Sequence, residues 1–251
     1  MSAVKLYAKP SASFADKLAA TQGLLRSAVR DFTPLTQASS LGVEDMVVSH
    51  LLHTLDLPVE IFVLQTGKLH SHTLHMLDVV QTSFTSTRRK LKIYEPDALH
   101  AMQFVAKNGE MAMRDSMALR KECCDIRKMQ PLAKALAGKG GWITGLRREQ
   151  SDARAEVPGI EMQSVVEDGM AKQRAKVNPL ADWTQGDVWH YVSVNAVPYN
   201  PLHDQFYPSI GCEPCTRPVS VGEDFRSGRW WWETAAAKEC GLHVSASLST
   251  V

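Results

Sequence analysis

The sequence predicts an α/β fold in which a parallel sheet is flanked by helices. Two observations lead to this prediction. Short apolar runs alternate with segments whose apolar residues recur at helical spacing, and the early runs end at glycine-containing turns. Strands that alternate with helices of about 10 to 15 residues are typical of βαβ units, whose strands are parallel.

The first three pairs of strand and helix follow one another closely. Residues 34–40 are predicted to form a strand that runs into a turn at Gly42. A helix begins near Val43, after which apolar residues recur every four positions. The next two pairs are predicted as strands at 60–66 and 91–94 and helices at 69–84 and 97–107.

The second half contains a long helical stretch and one further strand. Helical spacing extends from about residue 113 to 137, with an interruption or a new start at Pro131. A strand with its turn is predicted at 142–145, and Thr184 is the expected N-cap of the next helix. Prolines and glycines make residues 196–222 irregular.

The chain has 251 residues, of which 44% are hydrophobic, so a substantial core is expected. It shows no internal repeat, low-complexity tract or long linker, which favours one domain over residues 1–251. The α/β core is expected at about 30–200, and residues from about 201 to 251 add a second cysteine pair and a C-terminal tail.

The charge balance limits the classes of partner. Lys and Arg number 28 and Asp and Glu number 27, for a formal net charge of +1. Nucleic-acid-binding proteins usually carry a basic surface, so we expect no nucleic-acid partner and only local anion sites. The chain has neither an apolar leader nor the roughly 18 consecutive apolar residues of a membrane helix. We therefore expect a soluble cytoplasmic protein without a membrane contact.

Four of the five cysteines form two close pairs, Cys123 with Cys124 and Cys212 with Cys215. An odd, low count argues against a secreted disulfide scaffold, and close thiolate pairs can hold a metal centre. The Cys-x-x-Cys pair alone also fits half a zinc site or a redox dithiol. Zinc sites commonly separate paired cysteines by about two to four residues, so the adjacent pair favours an iron–sulfur cluster over zinc.

Positive charge accompanies the adjacent cysteines. In a helix, Arg120, Cys124 and Lys128 lie on one stripe, and Arg127 lies one turn from Cys123. An iron–sulfur centre held by four thiolates is negative and favours a cation such as Lys128, as does an anionic substrate. A solvated helix face is the alternative for Arg120.

The fifth cysteine, Cys240, has two interpretations. A lone cysteine is most often a small buried hydrophobic residue. Lys238 and His243 are close in sequence, however, and such neighbours can lower the pKa of a thiol and make it a nucleophile. The residues by themselves leave both interpretations open.

Three glycine-containing turns are expected at the carboxyl edge of the predicted sheet, at residues 39–45, 64–68 and 144–148. Open α/β sheets bind ligands at this edge. The first turn matches neither the phosphate-binding loop of Walker NTPases nor the dinucleotide-binding motif. An ordinary turn between strand and helix is therefore the alternative for it.

A second candidate anion site lies near the C-terminus. Arg226 and Arg229 are three residues apart, and guanidinium groups match the oxygens of phosphate and sulfate. A solvated turn would explain the two arginines as well. Three tryptophans follow at 230–232, and we interpret at least one of them as a core anchor.

Taken together, the cysteines and turns resemble those of the assimilatory adenylyl-sulfate (APS) reductases, relatives of the 3′-phospho-adenylyl-sulfate (PAPS) reductases. The resemblance rests on the order of the two cysteine pairs and the Glu-Cys-Gly-Leu-His run at 239–243. It extends over segments 39–45, 64–70, 144–148, 178–183, 197–203 and 226–229. It implies an adenine nucleotide α-hydrolase-like fold with a mobile C-terminal segment that carries the nucleophilic cysteine.

The resemblance also implies roles for individual residues. Cys240 would be the catalytic nucleophile. One [4Fe–4S] cluster would be ligated by Cys123, Cys124, Cys212 and Cys215. The substrate would be bound by Ser39, Gly42, Leu64, Thr66, Gly67, Lys128, Gly145, Arg147, Arg226, Arg229 and His243. Gln65 departs from the family, which usually has Asp there, so that turn lacks a carboxylate.

The implied activity is thioredoxin-dependent reduction of APS to sulfite and AMP in sulfate assimilation. Cys240 would attack the sulfur of the substrate and AMP would leave. Reduced thioredoxin or a glutaredoxin-like dithiol would then release sulfite from the S-sulfocysteine. The cluster's expected role is structural and electrostatic. The sequence is also compatible with a homo-oligomer.

Three other functions are compatible with parts of the sequence. A PAPS reductase, or one with dual specificity, differs only in accepting a 3′-phosphate. An ATP-pyrophosphatase-type ligase or tRNA-thiolation enzyme has this kind of fold but normally shows Ser-Gly-Gly-x-Asp-Ser at the first turn. A non-catalytic zinc module would make Cys240 incidental.

Overall fold

A sheet of six strands forms the centre of the computed structural model, which describes residues 2–167, 169–220 and 222–233. The strands are β1 (Leu35–Ser39), β2 (Glu60–Leu64), β3 (Leu91–Tyr94), β4 (Gly141–Ile143), β5 (Ile160–Glu167) and β6 (Met170–Val177). Their order is β3-β2-β1-β4-β6-β5. All neighbouring pairs are parallel except β5 with β6. The predicted α/β class is confirmed.

Helices cover both faces of the sheet. They are α1 (Ala3–Tyr7), α2 (Phe14–Asp31), α3 (Val43–Thr54), α4 (Ser71–Ser83), α5 (Ala98–Asn108), α6 (Met117–Cys124), α7 (Gln130–Leu136) and α8 (Gln185–Asn195). Strand β2 shows why both faces are covered. Ile61 and Val63 pack into the large core that includes α3, whereas Phe62 points the other way, towards Leu132 of α7.

The long predicted helix near the adjacent cysteines is divided. Residues 112–114 form a short 3₁₀ turn, and α6 begins only after Ser116, whose hydroxyl accepts a hydrogen bond from Leu119 N at 3.1 Å. A π-helical turn, Asp125–Met129, joins α6 to α7. Pro131 lies in the first turn of α7. Such π-turns are rare and often mark functional sites.

The hairpin of β5 and β6 has no counterpart in the sequence-based prediction. β6 contains three consecutive polar or charged side chains at 172–174 and a fourth at 176, so most of the strand lacks an alternation of apolar and polar residues. Ion pairs across the hairpin take the place of apolar contacts. Arg174 pairs with Glu167, and Lys176 lies 3.5 Å from Glu161.

The order of the strands determines where a ligand can enter. From β1 the chain builds outward through β2 and β3, then returns to place β4 on the other side of β1. The connections after β1 and β4 therefore diverge and leave a crevice at the carboxyl ends of these strands.

The N-terminal segment is tied to the start of α8. Thr184 Oγ1 accepts from Asp187 N at 3.0 Å, which confirms Thr184 as an N-cap. Asp187 is fully buried and accepts hydrogen bonds from Ser11 N (2.7 Å) and from Lys17 Nζ (2.8 Å). Within the part of the chain that the structure describes, no helix has the length and apolar character needed to cross a membrane.

Candidate active site

A cavity of about 200 Å³ lies at the carboxyl ends of β1, β2 and β4, where the strand order predicts a crevice. Each of the three glycine-containing turns contributes to its wall. The predicted substrate-binding residues that line it are Ser39, Gly42, Leu64, Thr66, Lys128, Gly145, Arg226 and Arg229. The three turns therefore meet at one edge of the sheet, as the sequence predicted. The contacts of their side chains were not predictable from the sequence.

The turn after β1 is held by a buried carboxylate. Asp45 Oδ2 accepts hydrogen bonds from Ser40 N at 2.7 Å and from Ser40 Oγ at 2.6 Å. Burial raises the pKa of Asp45 to about 6, and the Ser40 bonds oppose that rise. Gly145, at the end of β4, approaches so closely that a Cβ there would lie 2.5 Å from Asp45 Oδ1. The two turns are therefore packed against each other at the cavity wall.

Arg147 lies behind the cavity wall rather than on it. Its Nη2 is 2.9 Å from Glu44 Oε1, and its side chain is only 1% exposed. Burial is the largest influence on the pKa of Glu44 and raises it, but the Arg147 charge, a backbone hydrogen bond and His203 together hold the pKa below its usual value. Glu44 itself lines the cavity. Arg147 is therefore in contact with residues of the cavity wall, Glu44 and Phe225, without lining the cavity itself.

His203 is a cavity residue to which the sequence assigned no role. Its Nε2 accepts from Val43 N at 3.2 Å, so it satisfies a free N–H at the start of α3. Its Nδ1 lies 2.8 Å from Tyr207 O and donates to it, which assigns the tautomer. The available signal was its place in the Pro-Leu-His run at 201–203.

The turn after β2 shows how Gln65 replaces an aspartate. Gly67 N donates to Gln65 Oε1 at 2.6 Å, so the amide oxygen supplies the acceptor. Arg127 Nη1 donates to Thr66 O at 2.8 Å. Gly67 has a φ of +73°, which favours glycine, and it lies beside Arg127 rather than on the cavity wall. The turn therefore forms without a carboxylate.

The two cysteine pairs meet in a second, much smaller cavity of about 10 Å³. Its wall contains all four paired cysteines together with Lys68, Arg120, Arg127, Lys128, Arg229 and Trp230. The four are free thiols, and Cys212 Sγ lies 3.3 Å from Thr66 Oγ1. The turn after β2 holds the second pair next to the first. Leu69 and Cys212 form an isolated antiparallel β-bridge, and Glu213 N donates to Lys68 O at 2.7 Å.

Burial and positive charge act in opposite directions on these thiols. Burial raises the pKa of Cys123, while Arg127 opposes the rise. Burial and then Cys212 raise the pKa of Cys215 to about 11, while Lys128 and Arg229 oppose it. A metal centre that binds thiolates would reverse the effect of burial, and the surrounding cations would offset its negative charge.

The chemistry of the donor set is compatible with an iron–sulfur cluster, because thiolates are the usual ligands of such clusters. Among the described residues, no group of three or more His, Cys, Asp or Glu side chains has the arrangement of ligands to one metal ion. A four-iron cluster binds each thiolate through a different iron, so its ligands stand farther apart than those of one ion. Three buried thiols and the half-buried Cys124 around one small cavity are compatible with that arrangement.

The large cavity and the cysteine cavity share a wall. Lys128, Arg229 and Trp230 line both. Trp230 is 1% exposed, which confirms that one tryptophan of the run is a core anchor. The guanidinium groups of Arg120 and Arg229 lie 4.5 Å and 4.7 Å from the centroid of its ring. Cationic side chains thus separate a ligand-sized cavity from four thiols.

Two predicted site residues, Cys240 and His243, lie outside the described residues. Glu233 is the last residue that the structure describes, and it contacts Arg120 beside the cysteine cavity. The roles of Cys240 and His243 stay predictions.

The chain is similar in sequence and in fold to proteins named as reductases of adenylylated sulfate. It is 46% identical over 225 residues to a protein named adenosine 5′-phosphosulfate reductase from Allochromatium vinosum, covering 90% of this chain and 84% of that one. A PAPS reductase crystal structure from Candida auris, a phosphate complex, aligns with a TM-score of 0.62 and 29% identity, over 77% of this chain and 88% of that one. Yeast FAD synthetase, with 12% identity and a TM-score of 0.54 over 82% of this chain and 67% of that one, shares the fold.

The match to a protein family covers most of the described chain. The model for the phosphoadenosine phosphosulfate reductase domain matches residues 34–218, from the start of β1 to just beyond the second cysteine pair. The chain belongs to the phosphoadenosine phosphosulfate reductase domain family.

Proposed function

We propose that this chain reduces adenylyl sulfate to sulfite and AMP. The observation that carries the proposal is the wall of Lys128, Arg229 and Trp230 shared by the large cavity and the four-cysteine cavity. A nucleotide in the large cavity would direct its anionic end to that wall. The name of the curated relative from Allochromatium vinosum supports the same activity.

Two groups of residues that line the cavity differ in their chemistry. Backbone and small side chains at Ser39, Leu64 and Gly145 suit an adenosine, whose recognition needs close approach and few charges. Lys128, Arg226 and Arg229 suit the phosphosulfate, because their donors match its oxygens and offset charge on the leaving phosphate. His243 is proposed to join them from the C-terminal tail.

Cys240 is the proposed nucleophile. Its thiolate attacks the sulfur of the phosphosulfate, a bond from Cys240 Sγ to that sulfur forms, and the bond from sulfur to the bridging oxygen breaks as AMP leaves. A dithiol protein of the thioredoxin or glutaredoxin type then attacks Cys240 Sγ and releases sulfite. The second thiol closes a disulfide in the dithiol protein, which supplies both electrons.

The proposed ligands of a [4Fe–4S] cluster are Cys123, Cys124, Cys212 and Cys215. When bound, the cluster supplies a fixed negative charge beside Lys128, which favours the cationic form of that side chain at the wall. Arg127 and Arg120 contribute positive charge next to the adjacent cysteines. We place the reaction in the cytoplasm, where thiols are kept reduced.

PAPS is the second candidate substrate, because a solved relative with 29% identity is a PAPS reductase. The two substrates differ only by a 3′-phosphate on the ribose. The four paired cysteines favour APS, since the resemblance links them to the APS-reducing branch.

The deciding experiment is anaerobic purification with iron and sulfide analysis, followed by assays of sulfite release from APS and from PAPS with reduced thioredoxin. We expect a full complement of cluster iron and sulfite from APS. Cys240→Ser should abolish sulfite release while iron content and AMP binding stay at the wild-type level. Zinc in place of iron, or normal turnover by Cys240→Ser, would overturn the proposal.

A further inference from the structure

The last described residues are fixed to the cysteine-bearing segments by three separate contacts. Trp230 N donates to Cys215 O at 3.2 Å. Arg114 stacks on Trp231 at 4.9 Å and donates to Pro214 O at 2.8 Å. The third contact is an ion pair with α6, in which Arg120 Nε lies 2.6 Å from Glu233 Oε1.

This ion pair is buried on both sides. The Arg120 side chain is 2% exposed and that of Glu233 is 7% exposed. Burying a charge pair costs desolvation energy, which the attraction between the charges repays only when their geometry is good. Such a pair gains little in stability over an apolar contact, but its hydrogen bond is directional. We therefore interpret the pair as fixing the position of Glu233 relative to α6.

Arg120 touches both the cysteines and the end of the described chain. Besides Glu233, it hydrogen-bonds Cys124, one helical turn further along α6. It also lies 4.5 Å from the ring centroid of Trp230, a residue of the shared wall that Arg229 contacts as well. One guanidinium therefore relates the first cysteine pair, the shared wall and the residue from which the tail leaves.

The length of chain beyond this point matters for catalysis. Cys240 lies seven residues after Glu233, and seven residues span at most about 24 Å. A nucleophile on a chain of this length has an effective concentration that depends on where the chain is anchored. Moving the anchor changes how often the thiol meets the substrate without changing how the substrate binds.

We propose that Arg120 and Glu233 are positioning residues, which anchor the root of the C-terminal tail beside the shared wall so that Cys240 reaches the phosphosulfate. The proposal rests on the proposed function, in which Cys240 is the nucleophile. Neither residue touches the substrate. Their contribution is to the rate of the first chemical step rather than to nucleotide affinity.

The test uses the full-length holoenzyme with Glu233→Gln, which keeps the shape of the side chain and removes its charge. Single-turnover formation of the adduct on Cys240 from APS is followed by mass spectrometry, without reductant. We expect the rate to fall about tenfold, while the Kd for AMP and the iron content stay within twofold of wild type. Glu223→Gln is the matched control, because Glu223 pairs with Arg217 at 3.0 Å on the exposed surface nearby.

A double variant separates positioning from simple destabilisation. Glu233→Gln leaves the Arg120 charge buried without its carboxylate, whereas Arg120→Met with Glu233→Gln removes both charges and keeps an apolar contact with Trp230. We expect the double variant to be as stable as wild type yet as slow as Glu233→Gln. Glu233→Asp, which retains the charge, should recover part of the rate.

Two outcomes would overturn the positioning role. One is an unchanged adduct rate in both Glu233→Gln and the double variant. The other is a parallel loss of AMP affinity, iron and rate in the double variant, which would make the pair purely structural. If wild-type enzyme forms no adduct on Cys240, the proposed function itself fails, and the positioning role fails with it.

Discussion

The contact between the turns after β1 and β4 can be tested by adding one methyl group, in Gly145→Ala. A Cβ at this position would lie 2.5 Å from Asp45 Oδ1, 2.9 Å from Glu44 Cβ and 3.0 Å from Asp45 N. Neither carboxylate can swing away freely. Asp45 is held by Ser40, and Glu44 is held by Arg147. The methyl group must therefore displace Asp45 or push the turn at Gly145 away from it.

The magnitude follows from the hydrogen bonds at stake. Hydrogen bonds to a charged group contribute about 1.5 to 3 kcal/mol each, so losing one of the two Ser40 bonds costs about 2 kcal/mol. Both turns line the cavity, so a nucleotide that needs their wild-type arrangement must restore it on binding. We expect AMP to bind about thirtyfold more weakly, which is the equivalent of about 2 kcal/mol.

The assay is calorimetric titration with AMP at a pH well above the Asp45 pKa of about 6, so that the carboxylate is ionised. Gly23→Ala in α2 is the matched control, because a Cβ there would meet nothing within 4 Å. The control should bind AMP like wild type. An affinity within twofold of wild type for folded Gly145→Ala would refute the reasoning about the cavity wall.

Three further predictions concern stability and metal content. Asp187→Asn should lower the free energy of unfolding by about 2 to 3 kcal/mol, because buried Asp187 holds Ser11 and Lys17 at the start of α8. Urea titration measures this loss, and a value below about 0.5 kcal/mol would contradict the prediction. Burial lowers the pKa of His203, so stability should fall as the pH drops below about 6.5, by up to about 1.4 kcal/mol per pH unit. The sign follows because the unfolded chain binds the proton more tightly, and His203→Gln should remove this component from denaturation curves measured across that range. Cys123→Ser should lose the cluster iron and its visible absorption, and unchanged iron content would exclude Cys123 as a ligand.

The His203 prediction connects pH with the cavity as well as with stability. Protonated Nε2 can no longer accept from Val43 N, so the start of α3 loses that partner. Because Gly42 and Glu44 flank this point and both line the cavity, AMP affinity should weaken once the pH falls below the lowered pKa of folded His203, and therefore at a lower pH than that at which stability begins to fall. A Kd for AMP that stays constant while NMR shows folded His203 taking up its proton would count against the link.

Several features of the fold were predictable because they depend on local chemistry. The first two strands follow from apolar runs that end at glycine turns, the third from a short apolar run, and the start of α8 from the capping preference of Thr184. The β5–β6 hairpin was not predictable, because the polar side chains of β6 are stabilised by Glu161 and Glu167 on the neighbouring strand. Local periodicity does not report such pairing.

The site divides in the same way. Cysteine spacing and the three turns indicated a thiol centre and an anion or nucleotide site. Only the structure shows that Lys128, Arg229 and Trp230 form one wall between them, that Arg147 pairs with Glu44 behind the cavity wall, and that His203 accepts a hydrogen bond from the start of α3. Arg147 and His203 each contact a residue that lies more than 100 positions away in the chain.

The sequence by itself determined the fold class, the family resemblance and the chemical character of the site, since periodicity, turn chemistry and thiol spacing are written locally along the chain. The tertiary structure decided which of these groups meet. The order β3-β2-β1-β4-β6 opens a crevice at the ends of β1 and β4, and the π-helical turn after Cys124 sets Lys128 at its edge. Which side chains share a wall depends on packing among distant segments, and no local pattern encodes that.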